Sequence, residues 1–201
     1  MKQLVFIHGG ETFDTYDAYL EALKDWTYEP FKEFGERWKA TLGDKLGEEW
    51  EVFTPTMPSK YNAKYIEWSI WFEKVLPYLN DGVSFVGHSL GGIFLAKYLS
   101  EHTLPVSVHT VWLIAAPFDA DDSEYSLADF VLPESLELFS KQVQHIFVYH
   151  SEDDPIVPFS ALQKYTDKLP GAIARVFSDR GHFLQPEFPE LIESIKETPP
   201  S

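Results

Sequence analysis

The sequence predicts an α/β protein of three layers, a mostly parallel six-stranded sheet with helices on both faces. Three observations carry this. Short apolar runs rich in β-branched and aromatic residues recur at 3–7, 50–54, 83–86, 106–115, 144–149 and 173–177. Stretches with apolar residues at helical spacing lie between them, so strands and helices alternate. The first and third runs are apolar almost without interruption, as parallel strands covered on both faces tend to be. With right-handed crossovers the expected strand order is 2-1-3-4-5-6, and the order reverses between strands one and three. Ligands of such sheets sit beyond the strand C-termini at that reversal.

The elements follow in order. The strand at 3–7 ends in His8-Gly9-Gly10-Glu11, a glycine-rich turn that can bring a backbone N–H close to a ligand. Residues 14–47 carry many aromatics among charges and read as two amphipathic helices, 14–26 and 30–46, separated near Pro30. One crossover helix would suffice, so this aromatic-rich insertion either overhangs the site or packs on the sheet. Both readings stand. Pro55 and Pro58 break the second strand. A crossover helix at 64–79 then feeds the third strand, its Trp68 and Trp71 expected to pack on the sheet. After the fourth strand come a charged loop and a broken helical stretch at 127–139. Helices at 162–169 and 186–196 flank the sixth strand. No repeat or linker interrupts the 201 residues, so one domain spanning 1–201 is expected.

The third strand runs into Gly87-His88-Ser89-Leu90-Gly91, followed by Ile93, Phe94, Leu95, Tyr98 and Leu99 at helical spacing. A chain passing from strand to helix this quickly must turn sharply at the central residue. Flanking glycines let strand and helix approach without a Cβ clash. Ser89 then presents its hydroxyl above the sheet, at a helix N-terminus. This is the nucleophile elbow of α/β-hydrolases in its expected strand–turn–helix setting.

A serine hydroxyl needs an adjacent base, and that base needs an orienting carboxylate. His182 follows a glycine after the last strand, on the same sheet edge as Ser89. Asp153 and Asp154 follow the fifth strand on that edge. Asp154 is preferred because the residue before Pro155 is conformationally restricted, and adjacent extended residues point to opposite sides. The oxyanion donors are assigned to the N–H groups of Gly10 and Leu90, with Glu11 as substitute for the first. His8 is read as a positional residue of its loop, and His88, His102, His109, His145 and His150 as structural or surface groups. No metal-ligand spacing appears, and no cofactor is expected.

Composition narrows the function classes. Thirty-two acidic against sixteen basic residues leave a formal net charge of −16. Such a surface repels phosphate backbones and anionic lipid, so nucleic acid and membrane partners are not expected. It also disfavours highly anionic substrates unless basic groups line the pocket locally. No run is long and apolar enough for a membrane span, and Met1 leads straight into a strand without a cleavable signal pattern. The absence of cysteine excludes thiolate chemistry. The expected location is the cytoplasm.

At these residues the chain resembles the small serine α/β-hydrolases of the retinoblastoma-binding protein nine (YdeN-like) family. The similarity spans nearly the whole length. It is carried by Val5-Phe6-Ile7-His8-Gly9-Gly10, Thr56-Met57-Pro58, the tryptophan helix at 66–72, Val86-Gly87-His88-Ser89, the Ser151–Pro158 loop and Gly181-His182-Phe183. It implies a compact hydrolase lacking the first two strands of the full fold, with a Ser–His–Asp triad at Ser89, His182 and Asp154. Segment 14–47 is longer than the family's usual first connection, so pocket shape does not carry over. The L-x-C-x-E segment through which the namesake binds a tumour suppressor has no counterpart in a chain without cysteine.

The function expected is hydrolysis of an ester or related acyl bond of a small-molecule substrate, with Trp68, Phe118, Phe159 and Phe183 as candidates to line an acyl pocket. Peptidase or thioesterase action falls in the same class. The alternative is an idle α/β-hydrolase acting as a protein-interaction module through the aromatic segment, with Ser89 occluded.

Overall fold

A computed structural model describes residues 1–27, 29, 37–121 and 126–198. Its six strands are β1 (Lys2–Ile7), β2 (Trp50–Phe53), β3 (Val83–His88), β4 (Val108–Ile114), β5 (Val143–Ser151) and β6 (Ile173–Phe177). They form one sheet in the order β2-β1-β3-β4-β5-β6 with every neighbouring pair parallel, as expected.

Successive side chains of a strand point to opposite faces, and here both faces are covered. Val5, Ile7, Phe85, Val111, Leu113 and Val148 enter one apolar layer; Leu4, Phe6, Val86, Trp112, Ile114 and Tyr149 enter the other. Helices α3 (Tyr65–Glu73), α4 (Leu90–Glu101), α5 (Glu137–Gln142) and α6 (Ser160–Lys168) contribute to the first layer. Helices α2 (Leu42–Leu46) and α7 (Pro189–Glu197) contribute to the second. Because neither face of the central strands meets water, alternation with polar residues is absent from them. That is why they read as continuous apolar runs.

Segment 14–47 differs from expectation. Helix α1 (Tyr16–Asp25) forms with Thr15 as its N-cap, the Thr15 hydroxyl accepting from Ala18 N–H. The second expected helix, 30–46, falls partly outside the described residues at 30–36. Within the described part, 38–41 is a turn and helix begins only at Leu42. The turn is held by contacts that helical periodicity cannot report: Trp38 N–H donates to the Gln185 carbonyl, and Trp38 Nε1 to the Phe183 carbonyl. Trp38, Leu42 and Leu46 are buried against the sheet. Helix α1 buries no residue, and its Tyr19 and Trp26 pack with Phe13 and Tyr61.

Two further expectations are corrected. The crossover helix ends at Glu73, with a short 3₁₀ turn at Leu76–Tyr78 around Pro77, which lacks the N–H to continue an α-helix. Trp68 is fully buried, but Trp71 on the outer face is 44% exposed. No helix among the described residues is long and apolar enough to cross a membrane.

Candidate active site

The elbow forms as its glycines require. Ser89 adopts φ 55° and ψ −124°, a region that costs a non-glycine residue conformational energy. Three constraints hold it there. Ser89 N–H donates to the Ile114 carbonyl of β4, and its own carbonyl accepts from Gly92 N–H in the first turn of α4. A Cβ on Gly87 would come 2.5 Å from the Gly91 carbonyl oxygen, and one on Gly91 would strike the carbonyls of Ile7 and His8. The close contact of β1, β3 and α4 thus excludes any side chain at either position. Strain at Ser89 is the price of a hydroxyl raised over the sheet edge, where it remains partly exposed.

His182 lies in the turn after β6. Its Nδ1–H donates to Asp154 Oδ2 at 2.9 Å, with Oδ1 at 3.1 Å. The Asp154 side chain is inaccessible to solvent, and its Oδ1 also accepts the N–H groups of Ile156 and Val157. Three donors therefore orient one desolvated carboxylate. Asp153, the alternative, faces elsewhere: its Oδ1 accepts from the Ser151 hydroxyl at 2.5 Å and from Gly181 N–H at 2.9 Å. The hydrogen bond from Ser151 holds the Asp153 carboxyl below its ordinary range, with Gly181 adding to the effect. The two aspartates face different partners from a tight turn in which Asp154 N–H donates to the Ser151 carbonyl, where the sequence reading expected an extended segment. Asp153 anchors the turn that carries His182, a role sequence reasoning did not assign.

His88 also holds that turn. It is buried, and burial, followed by the nearby Lys39 cation, pushes it well below the ordinary histidine range, so the ring is neutral. A carbonyl only accepts, so Nε2 carries the proton and donates to the His182 carbonyl at 2.8 Å. Nδ1 then accepts from Lys39 Nζ at 2.9 Å. His8 fixes the opposite wall: Nδ1 donates to the Gly9 carbonyl, and Nε2 accepts from Met57 N–H. Burial lowers His8 too.

Ser89, His182, Gly10 and Leu90 all line one cavity of about 410 Å³ beyond the C-terminal ends of β1 and β3, at the reversal of strand order. Among the described residues no hydrogen bond joins Ser89 to His182. The N–H groups of Gly10 and Leu90 have no acceptor among the described residues. Glu11 N–H, the substitute donor, is taken by the Lys60 carbonyl at 2.8 Å. A Cβ on Gly10 would lie 2.7 Å from that same carbonyl oxygen. The aromatic side chains considered for an acyl pocket do not line the cavity. Trp68 and Phe183 are core residues, and the apolar wall is made by Leu127, Ile156, Val157 and Leu184. Among the described residues no group of side chains could hold a metal ion.

A model of the family described as "Serine hydrolase" matches residues 32–188. The chain belongs to the serine hydrolase family. Serine hydrolase RBBP9 of Rattus norvegicus is 29% identical over 148 residues, covering 73% of this chain and 76% of that protein. The ydeN gene product of B. subtilis superposes with a TM-score of 0.75 at 20% identity, covering 98% of both chains. A meta-cleavage product hydrolase of Pseudomonas fluorescens IP01 superposes at 0.64 and 16% identity over 99% of this chain and 92% of that one. An esterase of Exiguobacterium antarcticum superposes at 0.62 and 15%, over 98% and 91%. These neighbours share the α/β-hydrolase fold, and the resemblance read from the motifs holds.

Proposed function

We propose that this hydrolase cleaves a carboxylic ester or related acyl bond through an acyl-enzyme on Ser89. The observation that carries the reading is the Asp154–His182 pair beside a strained elbow serine, in one cavity with two unused backbone N–H groups.

In this mechanism Ser89 Oγ attacks the acyl carbonyl carbon while His182 Nε2 takes the hydroxyl proton. The electron pair of the C=O bond moves onto oxygen, where the N–H groups of Gly10 and Leu90 receive it. Each such donor is worth roughly 3 kcal/mol of barrier. As the intermediate collapses, the bond to the leaving alcohol breaks and His182 returns the proton to it. Water then repeats the sequence: His182 accepts its proton, the acyl–Oγ bond breaks, and the proton goes back to Ser89. Asp154 keeps Nδ1 protonated, so Nε2 is the basic nitrogen throughout, and stabilises the imidazolium. In this reading the hydrogen bond between Ser89 and His182 forms as substrate binds.

The partial exposure of Ser89 counts against an idle interaction module, for which it would be covered. Turnover of p-nitrophenyl esters of graded acyl length, beside aminoacyl amides, tests the reading. Ester hydrolysis abolished by Ser89→Ala is expected. Amide turnover without ester turnover, or no turnover, would overturn the ester assignment.

A further inference from the structure

The protein as a whole is strongly anionic, yet cations gather at this cavity. Arg37 and Lys39 reach it from the turn before α2, and Lys60 from the loop after β2. Elsewhere basic side chains meet carboxylates, as in Lys24–Glu21, Lys141–Glu137, Lys164–Asp119 and Arg180–Glu190. Among the described residues none of the three cavity cations has such a partner. Lys39 Nζ contacts the neutral His88 ring and lies 5.7 Å from the Trp38 ring centroid; Lys60 Nζ lies 5.0 Å over the Tyr61 ring.

Their fields overlap. Lys60 and Lys39 both act on His8, and Arg37 acts on Lys39 and on His88. Burial, with the repulsion of Arg37, brings the Lys39 ammonium down to about 7. A desolvated cation beside another cation is unfavourable, and an anion held between them relieves it. One carboxylate stands on the same wall, Glu11, and burial pushes it above its ordinary value while His182 pulls the other way. Near pH 7 Lys39 is about half protonated, so Arg37 and Lys60 together with part of the Lys39 charge outweigh the one carboxylate of the lining, Glu11.

We propose that the substrate hydrolysed at Ser89 carries a carboxylate, which Arg37, Lys39 and Lys60 hold while the acyl carbonyl sits over the elbow. This rests on the hydrolase reading above and narrows it to one substrate class. The carboxylate could belong to the acyl part or to the alcohol part, and two pairs of esters separate these sources. One pair is p-nitrophenyl hydrogen adipate and its methyl ester; the other is 4-(carboxymethyl)phenyl butyrate and the matching carboxamide. Within each pair the reacting bond is alike and the charge differs.

In at least one pair the charged ester should have a kcat/KM about tenfold above its neutral twin at low salt, and the preference should shrink at high salt. The pair that shows it identifies the part bearing the carboxylate. Arg37→Gln combined with Lys60→Gln should bring that ratio towards one. Charged esters no better than neutral ones in both pairs, or a ratio unmoved by the double substitution, would overturn the proposal. An uncharged fluorophosphonate reports the hydrolase reading separately. Labelled protein without charge preference defeats the carboxylate alone, whereas protein that never labels defeats the hydrolase reading and this inference together.

Discussion

His88 Nε2–H donates to the backbone carbonyl of His182 across 2.8 Å, joining residues 94 positions apart in the chain. The residue before the elbow serine thereby fixes the loop that carries the proposed base. His88→Phe removes the donor and leaves a buried carbonyl unpaired, which costs about 1–3 kcal/mol. Thermal melting should show that loss, and kcat should fall more than KM changes, because the base is misplaced. His88→Gln keeps one donor and one acceptor and should restore most of kcat. Equal loss of kcat in both variants would reject this positioning role.

The two adjacent aspartates should separate cleanly in kinetics. Asp154→Asn should lower kcat by about 10⁴, the effect of presenting the wrong imidazole tautomer. Asp153→Asn weakens the anchors at the Ser151 hydroxyl and Gly181 N–H without touching the His182 ring, and should leave kcat within about tenfold of wild type. Steady-state kinetics of both variants on p-nitrophenyl butyrate provides the check.

Backbone approach at the elbow makes a prediction about stability. A Cβ on Gly91 would collide with the carbonyls of Ile7 and His8, atoms that cannot move without moving β1. Gly91→Ala should therefore destabilise by roughly 3 kcal/mol or more. A Cβ on Gly171 would meet nothing within 4 Å, and its φ is not positive. Gly171→Ala should be neutral or stabilise by about 0.4–1 kcal/mol. Urea denaturation of the two variants measures both.

Lys39 links stability to pH. Its ordinary value is 10.5 and its folded value about 7, so between these the unfolded chain holds a proton that the folded protein has lost. Stability from this group therefore rises with pH across that window, and below about 7 the full cost of the buried cation is present. Arg37, His88 and His8 face it, and the first of these adds to the cost. Lys39→Met should raise the melting temperature more at pH 6 than at pH 9. A gain independent of pH would mean that Lys39 is not the group responsible.

Much of the architecture was legible because it follows from local pattern. Burial on both faces made the central strands continuous apolar runs, and glycine spacing marked the elbow. Ser89 was proposed from the glycine spacing and His182 from chain order and sheet edge, whereas Asp154 was chosen over Asp153 only because it precedes Pro155. What escaped depends on contacts between distant segments. Nothing near Trp38 announces that its indole will bond the Phe183 carbonyl, so the turn at 38–41 read as helix. The Lys39–His88–His182 chain was hidden for the same reason, and so was the convergence of Arg37, Lys39 and Lys60. Segment charge counts cannot foresee which cations face a cavity.

Ser89 as nucleophile is tested most directly by intact-mass and peptide analysis after treatment with a fluorophosphonate. The expected result is a single adduct on the peptide containing Ser89, absent from Ser89→Ala and slowed in Asp154→Asn. An adduct on another residue, or equal labelling of wild type and Ser89→Ala, would contradict it.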